Sequence, residues 1–120
     1  PVASERELVS ACLVFPNDYE HSASIIRVNL MHGDTMLSTW STIVISSVKT
    51  ISLSLNGRIS ENQLPADLTL VAHAIVDREH LDMRDCLVDI RAGDYYAESV
   101  VLISADAPTA ISVSMLRLPA

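Results

Sequence analysis

The stretch from Leu68 to Asp77, near the middle of the chain, constrains the fold more than any other. It reads Leu-Thr-Leu-Val-Ala-His-Ala-Ile-Val-Asp, and the side chains of a β-strand point alternately to opposite faces. One face would carry Leu68, Leu70, Ala72, Ala74 and Val76, and the other Thr69, Val71, His73, Ile75 and Asp77. Because both sets are largely apolar, the stretch predicts a central strand, in the middle of a sheet or beneath a second sheet.

Other short stretches alternate in a similar way and are separated by turn residues, among them Pro16-Asn17-Asp18 and His32-Gly33-Asp34. The segment from Asn56 to Asp67 turns polar and contains Pro65, which predicts a loop that crosses from one sheet to the other. Further strands are predicted over Ser10–Phe15, Ser24–Met31, Thr35–Ile45, Val48–Leu55, Cys86–Ile90, Ser99–Ile103 and Ile111–Leu118.

This pattern predicts an all-β protein with one domain over residues 1–120. The expected architecture is a β-sandwich of about seven to eight mostly antiparallel strands, or a small barrel. Residues 1–8 are expected to form a mobile tail. A short helix over Glu5–Cys12 competes with the first strand, because Ser4-Glu5-Arg6-Glu7 matches the capping-box pattern. Aromatic residues make up only 4% of the chain, so the core is expected to consist of aliphatic side chains rather than stacked rings.

The charge balance limits the partners that the chain can bind. It has 8 Lys and Arg residues against 15 Asp and Glu residues, for a net charge of −7. Binding to nucleic acid is not expected without a basic surface, and neither is electrostatic attraction to anionic lipids. No apolar run approaches the roughly 20 residues of a membrane-spanning helix.

Motifs for catalysis or metal binding are not found in the sequence. The acidic cluster from Asp77 to Asp89 lacks the mid-loop Gly and terminal Glu of an EF-hand, since Asp82 and Val88 occupy those positions. There is no Gly-x-Ser-x-Gly elbow and no Gly-rich phosphate loop. The histidines show no metal-ligand spacing; they are His21, His32, His73 and His80. We therefore predict no enzymatic activity, no cofactor and no metal site.

The two cysteines, Cys12 and Cys86, both lie in apolar segments. They are compatible with one disulfide bond in an exported domain, or with two buried free thiols. Tyr95 and Tyr96 are adjacent, so at most one of them is easily buried in a strand.

The alternation slips between Leu37 and Ile43, which predicts a bulge or bend near Trp40. Trp40 is the only Trp of the chain, and it serves either as an anchor in the core or as a partly exposed contact residue. Bulges and edge strands are frequent places of interaction. The candidate partner-binding residues are therefore Met36, Leu37, Trp40 and Ile43.

Three segments follow one another in an order typical of a known family. They are Ser24–Leu30, Ile51–Leu55 and Leu64–Ile75, the last beginning Leu-Pro-x-x-Leu. They form a first strand, a second alternating strand and a Pro-containing loop that leads into a third strand. This order resembles that of the YscW-type pilotins of type III secretion systems and the related YbaY-like lipoproteins. The chain after Asp77 is longer than expected for the YbaY-like members, which favours the secretion pilotins.

The resemblance implies a non-enzymatic β-sandwich lipoprotein of the periplasm. An acylated Cys upstream of Pro1 would anchor it to the inner leaflet of the outer membrane. Its partner would be a secretin subunit, bound through a segment near the C-terminus, which the pilotin helps to reach and assemble in that membrane. Two other classes stay open: a generic envelope lipoprotein or small-ligand binder with an apolar pocket, and a hydrolase or inhibitor domain with a polar cleft.

Overall fold

A computed structural model describes residues 4–20, 24–76, 94–106 and 108–118. Within them, eight β-strands form two sheets. The strands are β1 (Arg6–Val14), β2 (Ser24–His32), β3 (Thr35–Val44), β4 (Thr50–Gly57), β5 (Ala66–Val76), β6 (Tyr95–Ile103), β7 (Thr109–Ser114) and β8 (Leu116–Arg117). A short 3₁₀ helix, Glu61–Gln63, precedes β5.

The two sheets have three and five strands, in the orders β4-β1-β7 and β3-β2-β5-β6-β8. Neighbouring strands are antiparallel, except that β1 and β7 run parallel. The protein is therefore the all-β sandwich that the sequence predicts. β5 lies in the middle of the larger sheet, between β2 and β6, which confirms the prediction of a central strand.

The core lies between the sheets, and one face of β5 contributes to it along the whole strand. Leu68, Leu70, Ala72, Ala74 and Val76 all belong to the buried cluster, as the alternation predicts. On the opposite face His73 and Ile75 are also buried, while Thr69 and Val71 are half-buried. A strand covered on both faces needs apolar residues on both, which explains the near-continuous apolar run.

The core also contains stacked rings, contrary to the expectation from composition. Phe15 and Tyr19 stack with their ring centroids 4.2 Å apart, and Tyr95 meets Tyr19 edge to face at 4.9 Å. All three rings are buried. Few aromatic residues suffice for such a cluster when the fold brings them to the same end of the sandwich. Tyr96, in contrast, is only half-buried, as expected for the neighbour of a buried residue.

The first strand starts earlier than predicted. β1 begins at Arg6, which pairs with Gly57, and Leu8 is fully buried. The mobile tail predicted over residues 1–8 is therefore wrong from Arg6 onward, and no helix forms over the competing segment. A bulge between Glu7 and Val9 allows Leu8 and Val9 to be buried together, an arrangement that simple alternation does not predict.

The connection from β4 to β5 crosses from one sheet to the other, as predicted for the polar segment around Pro65. The peptide bond between Leu64 and Pro65 is cis. β6 begins at Tyr95 rather than at Ser99. The strand predicted over Cys86–Ile90 and the acidic cluster lie outside the described residues.

The two sheets approach each other along both sides of the sandwich. On one side, a Cβ atom on Gly57 would lie 2.9 Å from the carbonyl oxygen of Leu37. On the other side, the Thr109 hydroxyl donates a hydrogen bond to the Leu102 carbonyl at 2.9 Å. At these two points the edges of β3 and β6 lie against the smaller sheet.

Candidate functional site

β3, the strand that carries the candidate contact residues, is the edge strand of the larger sheet. Among the described strands it pairs with β2 alone, over almost its whole length. A bulge interrupts this pairing: Leu30 pairs with Ser38, whereas the next residue of β2, Met31, pairs with Met36. Leu37 is thus the extra residue. The predicted bulge exists, but it lies at Leu37 rather than near Trp40.

The register of β3 divides the four candidates into two pairs. Trp40 lies opposite Val28, whose side chain is in the core, and both Trp40 and Leu37 pack against the core cluster. Met36 and Ile43 lie on the outer face, where they are 48% and 47% exposed. Leu37 and Trp40 therefore anchor the strand to the core, whereas Met36 and Ile43 present apolar side chains to solvent.

Met36 lies in a row of side chains that crosses four strands. It pairs with Met31 on β2, Met31 pairs with Thr69 on β5, and Thr69 pairs with Val100 on β6. Val100 is 69% exposed, and Leu102, two residues along the same strand, is 58% exposed. We call Met36, Met31, Thr69 and Val100 the outer row.

Sequence reasoning missed Met31, Val100 and Leu102 as surface candidates. Val100 and Leu102 alternate with the buried residues Val101 and Ile103, but all four are aliphatic, so hydrophobicity alone does not reveal which two face solvent. Only the register of β6 on β5 distinguishes them.

Ile43 belongs to a second row nearer the other end of the sheet. It lies opposite Ile25, and Ile25 lies opposite Ile75. Ile25 and Ile75 are buried at 0% and 3% exposure although they are not part of the core cluster between the sheets. Ile45, just beyond the end of β3, is 83% exposed. Ile43 is thus the exposed end of a row that is otherwise covered.

A polar network lies between these two rows. Asn29 Oδ1 accepts a hydrogen bond from the Thr39 hydroxyl at 2.7 Å and another from Arg27 Nε at 3.3 Å. Farther across the sheet, the Tyr96 hydroxyl donates to Glu98 Oε2 at 2.9 Å. His73 is fully buried between its strand neighbours Arg27 and Tyr96. The middle of the outer face is therefore polar, between two apolar rows.

The outer face of the smaller sheet has a different character. Serine side chains surround Cys12, which is a half-buried free thiol opposite Ser52 and Ser112. A shallow groove of about 290 Å³ runs over these residues and Ser10. This state of Cys12 agrees with the free-thiol alternative, while Cys86 lies outside the described residues.

Within the described ranges, no group of three or more His, Cys, Asp or Glu side chains is arranged to hold a metal ion. The same part of the chain contains no helix that is long and apolar enough to cross a membrane.

Comparison with known proteins adds no family to this picture. The chain matches no protein-family model, no curated protein and no solved structure.

Proposed function

We propose that the chain is a non-enzymatic, pilotin-type chaperone of a type III secretion system. In this role it binds a secretin subunit through a segment near the C-terminus of that subunit and helps it reach and assemble in the bacterial outer membrane. The full-length protein is periplasmic and is held at the inner leaflet of the outer membrane by a lipidated Cys upstream of Pro1. The proposal combines the family resemblance of the sequence with the surface of the larger sheet.

The observation that supports this proposal best is that the large apolar side chains of β3 face in two directions. Met36 and Ile43 present apolar side chains to solvent, while Leu37 and Trp40 pack against the core behind them. An apolar surface on a rigid sheet can bind a partner at a small entropic cost, because the strand that carries it is already ordered. A chaperone that captures one segment of its client needs such a surface and no catalytic group.

The test is a binding measurement on the purified chain with synthetic peptides that cover the C-terminal regions of type III secretin subunits. Titration calorimetry gives affinity and stoichiometry. The fluorescence of Trp40, the only Trp, gives an independent signal from β3 itself. We expect saturable binding of one peptide with a change in Trp40 emission.

A pair of variants locates the contact. The double variant Met36→Glu/Ile43→Glu should weaken binding by about tenfold or more, because charged groups replace two exposed apolar contacts. Ser10→Glu/Ser112→Glu places the same two charges on the exposed face of the other sheet and should leave binding unchanged. If none of the peptides binds to the folded protein, the pilotin function is contradicted and the generic envelope lipoprotein becomes the better hypothesis.

A further inference from the structure

The outer row forms an apolar path across the larger sheet. Met36 and Val100 at its two ends are the most exposed members, and Met31 and Thr69 between them are half-buried. Leu102 extends the exposed apolar surface along β6. Because neighbouring strands lie about 4.8 Å apart, the row spans about 14 Å from β3 to β6.

Carboxylates border this path at its β6 end. Asp67 pairs with Leu102, and Glu98 lies two residues before Val100, so both share the outer face with the row. Both side chains are exposed. Among the described residues of this face, Arg27 is basic, but it lies farther along β2 and donates its Nε hydrogen to Asn29. These two carboxylates favour a partner that carries basic groups, and the net charge of −7 for the chain disfavours a second copy of the protein as the occupant.

We propose that the outer row is the docking site of a basic amphipathic helix of a partner protein. One turn of a helix rises about 5.4 Å, close to the distance of about 4.8 Å between strands, so one apolar residue per turn can meet one strand of the row. Three turns cover the row from Met36 to Val100. Lys or Arg residues beside this apolar stripe would then lie near Asp67 and Glu98.

The edges of the sheet favour a helix over an added strand as the occupant. Strand addition needs free backbone groups along an edge. The edge of β3 approaches β4 where Leu37 meets Gly57, and the Leu102 carbonyl on β6 already accepts a hydrogen bond from Thr109. A helix that lies across the face needs no backbone hydrogen bonds from the sheet.

The proposal rests on the function proposed above in one respect, because it assumes that the protein acts by binding a segment of a partner. It does not require that the segment comes from a secretin. The probe is therefore a synthetic helical peptide of about 14 residues with one Leu in each turn and Lys on both sides of this stripe.

Methionine methyl groups report the binding directly. The chain has four Met residues, and ¹³C-methyl labelling gives each a separate NMR signal that single Met→Leu variants assign. We expect the signals of Met31 and Met36 to shift during titration with the peptide. The signal of Met115, which is 1% exposed in the core, should not move and serves as the internal control.

Two sets of variants test the role of the row and of its charges. Val100→Glu should weaken binding by about tenfold or more, whereas Ile45→Glu, at an exposed position outside the row, should change it by less than about twofold. Asp67→Lys/Glu98→Lys should also weaken binding. The affinity of the parent protein for the peptide should decrease as the salt concentration rises, and that of this variant should not. Circular dichroism confirms that each variant is folded.

Three results would overturn the proposal. The first is that the Met31 and Met36 signals do not move in the presence of the peptide, and the second is that Ile45→Glu and Val100→Glu weaken binding equally. The third is that the signals of the row shift with protein concentration alone, which would identify a second copy as the occupant.

The secretin peptides separate this proposal from the proposed function. If the secretin peptides bind but the designed helix does not, the outer row fails while the pilotin function stands. If only the designed helix binds, and at the row, the reverse holds.

Discussion

Replacing Leu70 with Ala should lower the free energy of unfolding by about 3 to 4 kcal/mol. Leu70 is fully buried in the middle of β5, opposite Leu30 on β2 and Ser99 on β6. The change removes roughly three carbon groups at about 0.8 kcal/mol each, or about 2.4 kcal/mol of transfer free energy. A residual cavity of about 40 Å³ adds about 1 kcal/mol at about 24 cal/mol per Å³. The cavity persists because strands on both sides hold β5 in place.

Guanidinium chloride denaturation followed by far-ultraviolet circular dichroism measures this loss. An unchanged dependence of the free energy of unfolding on denaturant concentration shows that the variant and the parent protein expose the same surface on unfolding. Leu102→Ala is the matched control, because Leu102 lies on the neighbouring strand but is 58% exposed. It should cost less than about 1 kcal/mol. A loss below about 1 kcal/mol for Leu70→Ala, or equal losses for the two variants, would contradict the assignment of the even-numbered face of β5 to the core.

Three further substitutions examine β3 and its surroundings. Trp40→Ala should lower the free energy of unfolding by about 1 to 3 kcal/mol, since the ring packs against the core; an unchanged unfolding midpoint together with weaker peptide binding would show instead that Trp40 is a contact residue. Gly57→Ala should lower the thermal midpoint, because its Cβ would lie 2.9 Å from the Leu37 carbonyl oxygen, and a midpoint equal to that of the parent protein would refute this close approach of the sheets. Lys49→Met should lower the free energy of unfolding by about 1 kcal/mol and speed amide hydrogen exchange in residues 16–20. The reason is that Lys49 Nζ donates hydrogen bonds to the carbonyl oxygens of two residues in that segment, at 2.7 and 2.9 Å. Unchanged exchange would show that these bonds do not order the segment.

The strands themselves were largely predictable, because alternation is a local property. β2, β3 and β5 lie within a few residues of their predicted positions, and the polar segment around Pro65 does cross between the sheets. The start of β1 was not predictable in this way, because its first residues are polar. They are ordered by pairing with β4, as Arg6 pairs with Gly57, and such long-range pairing leaves no local pattern.

The candidate residues on β3 illustrate the same limit. Met36, Leu37, Trp40 and Ile43 are all large and apolar, so the sequence does not separate those that face the core from those that face solvent. The bulge at Leu37 shifts the side chains before it relative to those after it. Met36 and Ile43 consequently point to the outer face, while Leu37 and Trp40 pack inward.

The sequence by itself determined the β class, the central position of the Leu68–Asp77 stretch and the acidic character of the chain, because these depend on composition and on a period of two residues. Only the tertiary structure decided which apolar side chains remain outside the core. The outer row joins Met36 to Val100 across four strands, although these residues are far apart in the chain. Their proximity depends on strand order and register, which arise from the packing of the two sheets as a whole.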